Sequence, residues 1–405
     1  MRHILLLFVF LLGTPALAEH NRLTPEQIHE GWISLFDGET LFGWEQVNEV
    51  DWQVVDGEIR ASTGEVGWLM TTSEFADYSF YVEFRAEPET NSGIFLRSLK
   101  KPVNEEEDCY EVNIAPTNNP FPTGSIVKRF KTEPVEGGGR NKTPKLRGIG
   151  SSVNAWDGKW HSYSMRVKGD SIGVEIDGTR VAGYIDSQPR TRGLIGLQHN
   201  RGNIAFRNVY LKPLGTKSIF SGKDLAGWNT QRAEASRFEV TEKGELRVLD
   251  GRGQIESEVS YGDFVLQLEC LVDGDALNSG VFFRCIPGDF MMGYECQIQN
   301  GMLGSDPTKP QDCGTGGFFR RQNARRIVAK DREWFAMTLV ADGPHMAAWV
   351  DGYQVSDWVD TRAPHKNPRK GLRTEPGTLT IQGHDPTTDL RFRKLQIVTM
   401  PVVGD

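Results

Sequence analysis

The sequence predicts an all-β protein made of two tandem jelly-roll β-sandwiches, and three observations carry that prediction. The chain repeats itself at a spacing near 190 residues, its apolar residues alternate with period two over short runs, and it holds 44 glycines and 20 prolines, turn formers in numbers that suit short strands better than long helices. With 405 residues, 38 % of them from the AVILMFWYC set and 25 % charged, it is long enough for two domains and too rich in apolar residues to be disordered.

The repeat keeps its order along the chain. Leu35 to Trp44 (LFDGETLFGW) returns as Ile219 to Trp228 (IFSGKDLAGW), Asn91 to Arg97 (NSGIFLR) as Asn278 to Arg284 (NSGVFFR), and Tyr110 to Ile114 (YEVNI) as Tyr294 to Ile298 (YECQI). Thr123 to Arg129 answers Thr315 to Arg321, Val174 to Gly178 answers Ala348 to Gly352, Gln198-His199 answers Gln382-Gly-His384, and Phe206-Arg207 answers Phe392-Arg393. Offsets stay between 174 and 192, far longer than a solenoid period, so the pattern is a duplicated domain with altered loops. The expected domains are 30–214 and 217–400, joined by a linker short enough to hold them close.

Before the first domain, Arg2 and His3 precede an apolar run from Ile4 to Leu12, and Ala16-Leu17-Ala18 forms a small-x-small cleavage site. Residues 1–18 read as a signal peptide, which places the mature protein outside the cytoplasm, secreted or periplasmic. No other stretch approaches the roughly 20 apolar residues of a membrane span. The net charge is −8, and −9 once Arg2 leaves with the signal, a poor match to the phosphates of nucleic acid.

Within each domain Tyr78 to Phe84, Gly93 to Arg97, Tyr110 to Ile114, Ser162 to Val167 and Ile172 to Ile176 are alternating or rich in β-branched and aromatic residues, and are expected as strands. Asp177-Gly178 and Asp351-Gly352 are hairpin turn pairs. One short helix is expected near Thr24 to His29, with Thr24 as N-cap and Pro25 at the first position.

Alternation also sorts the chemistry. In Tyr110 to Ile114 the apolar residues share one face and leave Glu111 and Asn113 on the other; Tyr294 to Ile298 leaves Glu295 and Gln297. The same rule puts Phe282 and Arg284 on the open face with Glu295, and sends Cys285 and Cys296 into the core, where two readings stand: a disulfide between them, or two separate buried thiols. Asn91, Arg97, Glu111, Asn113, Gln198, His199 and Arg207 thus recur as Asn278, Arg284, Glu295, Gln297, Gln382, His384 and Arg393. Such a hydrogen-bonding set flanked by aromatics suits a polyhydroxylated ligand such as a sugar, against the plainer reading of surface ion pairs. Two basic stretches, 115–151 and 315–332, each carry a net charge of +5 and are expected either to rim one end of the sandwich or to be solvated loops. Zinc-binding Cys-x-x-Cys pairs, His-Glu-x-x-His, phosphate loops and nucleophile elbows are absent from the sequence.

The combined motifs, Leu-Phe-Asp-Gly to Gly-Trp, Asn-Ser-Gly-x-x-x-Arg, Tyr-Glu-x-Gln-Ile, Thr-Gly, Asp-Gly, Gly-x-Ile-Gly-Leu-Gln-x-His and Phe-Arg-Asn, resemble the 3-keto-disaccharide hydrolase domain family, once per repeat. The resemblance implies a concanavalin A-like jelly roll with a concave sugar-binding sheet, acting on glycosides oxidised at carbon 3. It implies Glu295 or His384 as base, with Arg284, Gln297, Gln382, Asn278 and Arg393 on the substrate, and Glu111, His199, Arg97, Asn113, Gln198, Asn91 and Arg207 as first-domain equivalents. The second domain fits the pattern better, because its Glu-x-Gln and Gln-x-His spacings are kept. A divalent metal held by Glu and His is an alternative to a free base. A non-catalytic pair of carbohydrate-binding modules and a docking module for another exported protein are the other readings. An ordinary two-carboxylate glycosidase is disfavoured, since no strand presents closely spaced outward acids.

Overall fold

The computed structural model describes residues 20–104, 107–116, 119–127, 155 and 157–401. The signal segment and the Lys128 to Arg147 part of the first basic stretch lie outside the described residues. The fold is all-β, two tandem sandwiches of the jelly-roll type. In each, one larger antiparallel sheet packs on a sheet of five strands, and neighbours within a sheet come from distant parts of the chain.

In domain one the five-stranded sheet runs Trp44–Val47, Gly67–Thr71, Leu194–Arg201, Asn91–Ser98, Tyr110–Ile114. In domain two the same order is Trp228–Asn229, Gly253–Tyr261, Gly377–Gly383, Ser279–Cys285, Tyr294–Ile298. The larger sheets centre on Tyr78–Ala86 with Ile204–Pro213, and on Phe264–Val272 with Asp389–Thr399. Tyr78–Ala86 alternates strictly between buried and half-buried residues, as a strand with one solvated face should. Asp177-Gly178 and Asp351-Gly352 each take positive φ (49° and 73°, 47° and 75°), the double left-handed geometry of a type I′ hairpin turn. The amino-terminal helix is Pro25–His29; the Thr24 side chain accepts from the Gln27 amide, and Gln27 accepts from the Thr24 amide in return.

The domains are packed together. Val265, Val340, Ala347 and Trp349, on the face of the larger domain-two sheet turned away from its own core, join the apolar cluster of domain one around Ile33 and Leu35. Trp349 Nε1 donates to the Ser34 carbonyl at 2.9 Å, and Gln267 donates to the Gly31 carbonyl at 2.8 Å. Arg192 of domain one reaches Glu74 together with Asp263 and Asp342 of domain two, and Arg325 of domain two reaches Asp37 at 2.8 Å.

Of the two readings for Cys285 and Cys296, the disulfide does not form. No disulfide joins any of the five cysteines; Cys296 lies in the core, whereas Cys285 lies on the opposite face of the sheet with Phe282 and Met291. The cause is local. Arg284 sits at φ 48° and the pairing with Gly377–Gly383 shifts between Phe282 and Cys285, a bulge that reverses the in-out order of whatever follows it.

Candidate functional site

The outer face of each five-stranded sheet is built in rows. In domain two, strand register sets Gln254, Gln382, Gly280 and Gln297 side by side, and beneath them Glu256, Thr380, Phe282 and Glu295. In domain one the corresponding rows are Trp68, Gln198, Gly93 and Asn113, then Met70, Gly196, Phe95 and Glu111. The glycine in each upper row is a space that its neighbour fills: a Cβ on Gly280 would lie 2.9 Å from Glu295 Oε1, and one on Gly93 would lie 2.6 Å from Glu111 Oε1. Both glutamates therefore lean over a bare stretch of backbone and are almost wholly buried.

In domain two, burial pushes the Glu295 carboxyl from the ordinary 4.5 up to about 7, against the downward pull of Arg369 and His384 and with help from Asp312. Arg369 donates to Glu295 at 3.1 Å, and its guanidinium lies over the rings of Phe282 and Phe319 at 5.2 and 5.6 Å. Gln297 donates to Asn278 Oδ1 at 2.9 Å, and Asn278 donates onward to Asp312 at 2.6 Å. That chain fixes the Gln297 amide and leaves its Oε1 buried without a partner. Gln382 Oε1 is in the same condition. Unpaired buried acceptors are rare in folded proteins, and two of them on one open face point to a ligand that supplies hydroxyl groups. Glu256 has a different task. It accepts from Thr378 at 2.5 Å and from the Gly288 amide at 3.1 Å, anchoring the loop whose Met291 amide bonds Gln254 at 2.6 Å.

Of the residues expected from the sequence, Glu295, Gln297, Gln382 and Asn278 come together on this face, as do Glu111, Asn113 and Gln198 in domain one. His384 follows Gln382 by two positions at the same end of the sheet, its Nδ1 2.9 Å from Asp385 and its charge within reach of Glu295. Asn91 opens the strand that bears Gly93.

Three expectations are corrected. Arg284 and Arg97 do not share the open face. Both are at most 1 % exposed, and both carry positive φ. Arg284 donates to Asp263 at 2.7 Å and to the carbonyls of Gly262, Gly343 and Arg373, and Arg97 to Asp77 at 2.7 Å and to the carbonyls of Ala76, Gly169 and Arg190. The bulge that displaced Cys285 turned each arginine toward the loops joining the sheets. Arg393 and Arg207 stand on the larger sheets, paired with Glu269 and Glu83 and stacked 4.0 Å over Trp334 and Trp160. His199 faces inward: it follows Gln198 directly, so it takes the face of Ile195 and Leu197, where its Nε2 has no partner.

The second basic stretch is dispersed. Arg321 donates to the Arg369 carbonyl beside the site, Arg325 crosses to domain one, and Arg332 pairs with Asp275. Arg369 itself was not foreseen. It lies in the loop between Asp360 and Arg373, which is longer than its counterpart between Asp186 and Arg190, and that length difference was the available signal. Among the described residues no group of three or more His, Cys, Asp or Glu side chains gathers as a metal site would require.

Comparison with solved structures finds domain-sized similarity. A candidate glycosyl hydrolase of Parabacteroides distasonis is 19 % identical, with TM-score 0.39 over 49 % of this chain and 100 % of its own. The carbohydrate-binding module CBM66 of Bacillus subtilis is 15 % identical, with TM-score 0.32 over 43 % and 97 %. Beta-agarase B of Zobellia galactanivorans is 13 % identical, with TM-score 0.33 over 46 % and 93 %. No curated protein matches the sequence. The model of the 3-keto-alpha-glucoside-1,2-lyase-like domain matches residues 31–212 and again 215–398, so the chain is carbohydrate-active and belongs, in both of its halves, to that family.

Proposed function

We propose that the open face of domain two cleaves 3-keto-glycosides, with Glu295 as the base. The observation that carries the reading is a buried carboxyl held near neutrality beside two unpaired amide oxygens. A ketone at carbon 3 acidifies the hydrogen on carbon 2. Glu295 takes that proton, and the C–H electron pair moves toward the carbon-3 oxygen as an enolate. Collapse of the enolate restores the ketone, forms the double bond between carbons 1 and 2, and expels the glycosidic oxygen from carbon 1. Water then adds across the double bond, and the net change is hydrolysis. Arg369 is the cation available to the developing oxyanion. Gln297 and Gln382 accept sugar hydroxyls, and His384 at the rim is the group able to return a proton to the leaving oxygen.

The test is incubation of the protein with a 3-keto-glucoside and with its unoxidised parent, following release of the group at carbon 1. Release from the keto sugar alone is expected. Release from neither, with saturable binding retained, makes the protein a carbohydrate-binding pair. Loss of release with chelator replaces the free base by a divalent metal held by Glu295 and His384. Residues 1–18 support action outside the cytoplasm, which amino-terminal sequencing of protein recovered from the cell exterior tests.

A further inference from the structure

We infer that Asp312, outside the set expected from the sequence, is a positioning residue: through Asn278 it fixes which end of the Gln297 amide meets the ligand, and so requires the ligand to donate there. The inference rests on the reading of domain two as the reacting face and adds to it a rule of specificity.

The warrant is hydrogen-bond direction. A side-chain amide is a donor at one end and an acceptor at the other, and a row of amides can run in either sense until a group at its end permits only one. An ionised carboxylate accepts and has no proton to give. Asn278 therefore turns its amide nitrogen to Asp312 Oδ2, at 2.6 Å, and that leaves its oxygen toward Gln297. Gln297 must then donate its own nitrogen, at 2.9 Å to Asn278 Oδ1, and keeps Oε1 buried and without a partner.

Asp312 is held in place for this task. The Gln311 amide donates to the Gly301 carbonyl at 3.0 Å and the Ala324 amide to the Cys313 carbonyl at 2.8 Å, which clasps the loop on both sides. Asp312 and Cys313 take φ 38° and 74°, left-handed geometry that Asp and Asn tolerate better than most side chains. Across Gly280 the other amide is fixed in the same sense: Gln382 donates to Met291 Sδ at 3.3 Å, a thioether cannot donate back, and Gln382 Oε1 is again left unpaired. Domain one reaches the same polarity through main chain, with Asn113 donating to the Phe121 carbonyl at 2.7 Å.

The consequence is a face whose two amides present acceptors on either side of Glu295, with Arg369 as the cationic donor. A sugar must donate to both amides, so its protonless oxygen, the ketone, is left to Arg369. The substrate class that fits has one carbonyl and free hydroxyls where it meets the amides. An ether, a fluorine or a second carbonyl at those positions sets acceptor against acceptor and is rejected.

The experiment compares kcat/KM of the full-length protein and of Asp312→Asn for a 3-keto-glucoside and for its deoxyfluoro analogues at carbons 2, 4 and 6, one at a time. Fluorine takes the place of the hydroxyl without its proton, and its inductive effect cancels between the two proteins. Asparagine suits the left-handed backbone but donates as well as accepts, so the row becomes free to reverse. The parent should prefer hydroxyl to fluorine by about tenfold or more at the positions that meet the amides. Asp312→Asn should lower that preference by about threefold or more at one position and keep it at the position that meets Gln382. Asn278→Leu, which cuts the relay in its middle, should lower the same preference. Variants that lose kcat/KM by one factor for every substrate, or that leave every preference untouched, overturn the inference, because Asp312 then only holds its loop. Absence of turnover in the unsubstituted protein refutes instead the reading of domain two. The same ratios, taken from dissociation constants of the unoxidised glucoside and its fluoro analogues, then decide for Asp312.

Discussion

Replacing Glu295 by glutamine should abolish turnover and stabilise the fold, and both effects should grow as pH rises. The folded carboxyl keeps its proton up to about 7, whereas the ordinary carboxyl releases it at 4.5. Below the unfolded value both states are protonated and burial of Glu295 is harmless. As pH rises from there through the folded value, the unfolded chain ionises freely while the folded chain must ionise a buried group, so stability is lost. A displacement of about 2.5 units at about 1.4 kcal/mol per unit makes that loss about 3 kcal/mol, complete near pH 8 and under about 1 kcal/mol at pH 5. Glutamine keeps the shape without the charge. Urea unfolding of the parent and of Glu295→Gln at these two pH values should therefore show a stability difference that widens with pH in favour of the variant. Over the same range kcat/KM of the parent should rise as pH climbs through about 7, and the variant should have lost a factor of about 100 or more, the scale of a general base. Equal stability at both pH values, or a variant that turns over normally, refutes the argument that Glu295 is a strained base.

Other perturbations address the neighbours. Gly280→Ala puts a Cβ 2.9 Å from Glu295 Oε1 and 3.0 Å from its Cγ, so kcat should fall by about tenfold or more with little change in melting temperature. Arg369→Ala removes the cation that lowers the Glu295 carboxyl, and the acid limb of the pH–rate profile should move upward by about one unit. Arg284→Met leaves Asp263 and three loop carbonyls without their buried donor and should destabilise domain two by about 3 kcal/mol or more in denaturant titration, an effect on folding that precedes any effect on substrate. Thiol titration of the denatured, unreduced protein should find all five cysteines reactive.

The duplication, the β class and the outward Glu and amide of YEVNI and YECQI were legible because each depends on spacing alone. Period-two alternation holds as long as the strand is regular, and Tyr110–Ile114 and Tyr294–Ile298 are regular. It failed at Arg97 and Arg284 because a single residue in the left-handed region exchanges the faces of itself and its successor, and nothing in the residue type announces that conformation. Adjacency in a strand also means opposite faces, so His199 cannot stand beside Gln198. Arg369 belongs to a loop, where position follows from packing rather than from period, and its place over Phe282 required the folded chain. His345–Val350 is buried at every position, a strand covered on both sides, whereas its counterpart Ser171–Ile176 leaves Ser171 and Glu175 half-buried.

That doubly covered strand changes what counts as the folding unit. A tandem repeat joined by Pro213 to Thr216 invites the picture of two beads that could be cut apart or exchanged. Here a cut would bare Val265, Val340, Ala347 and Trp349 to water, and strand Arg192 from its carboxylate partners across the boundary. The apolar interior of the first half extends onto the outer face of the second half's larger sheet, so they should melt together, and selection on the stability of either half acts on both. A copy released from catalytic duty would then persist as scaffold for its sibling, free to acquire a different surface while its interior stays under constraint.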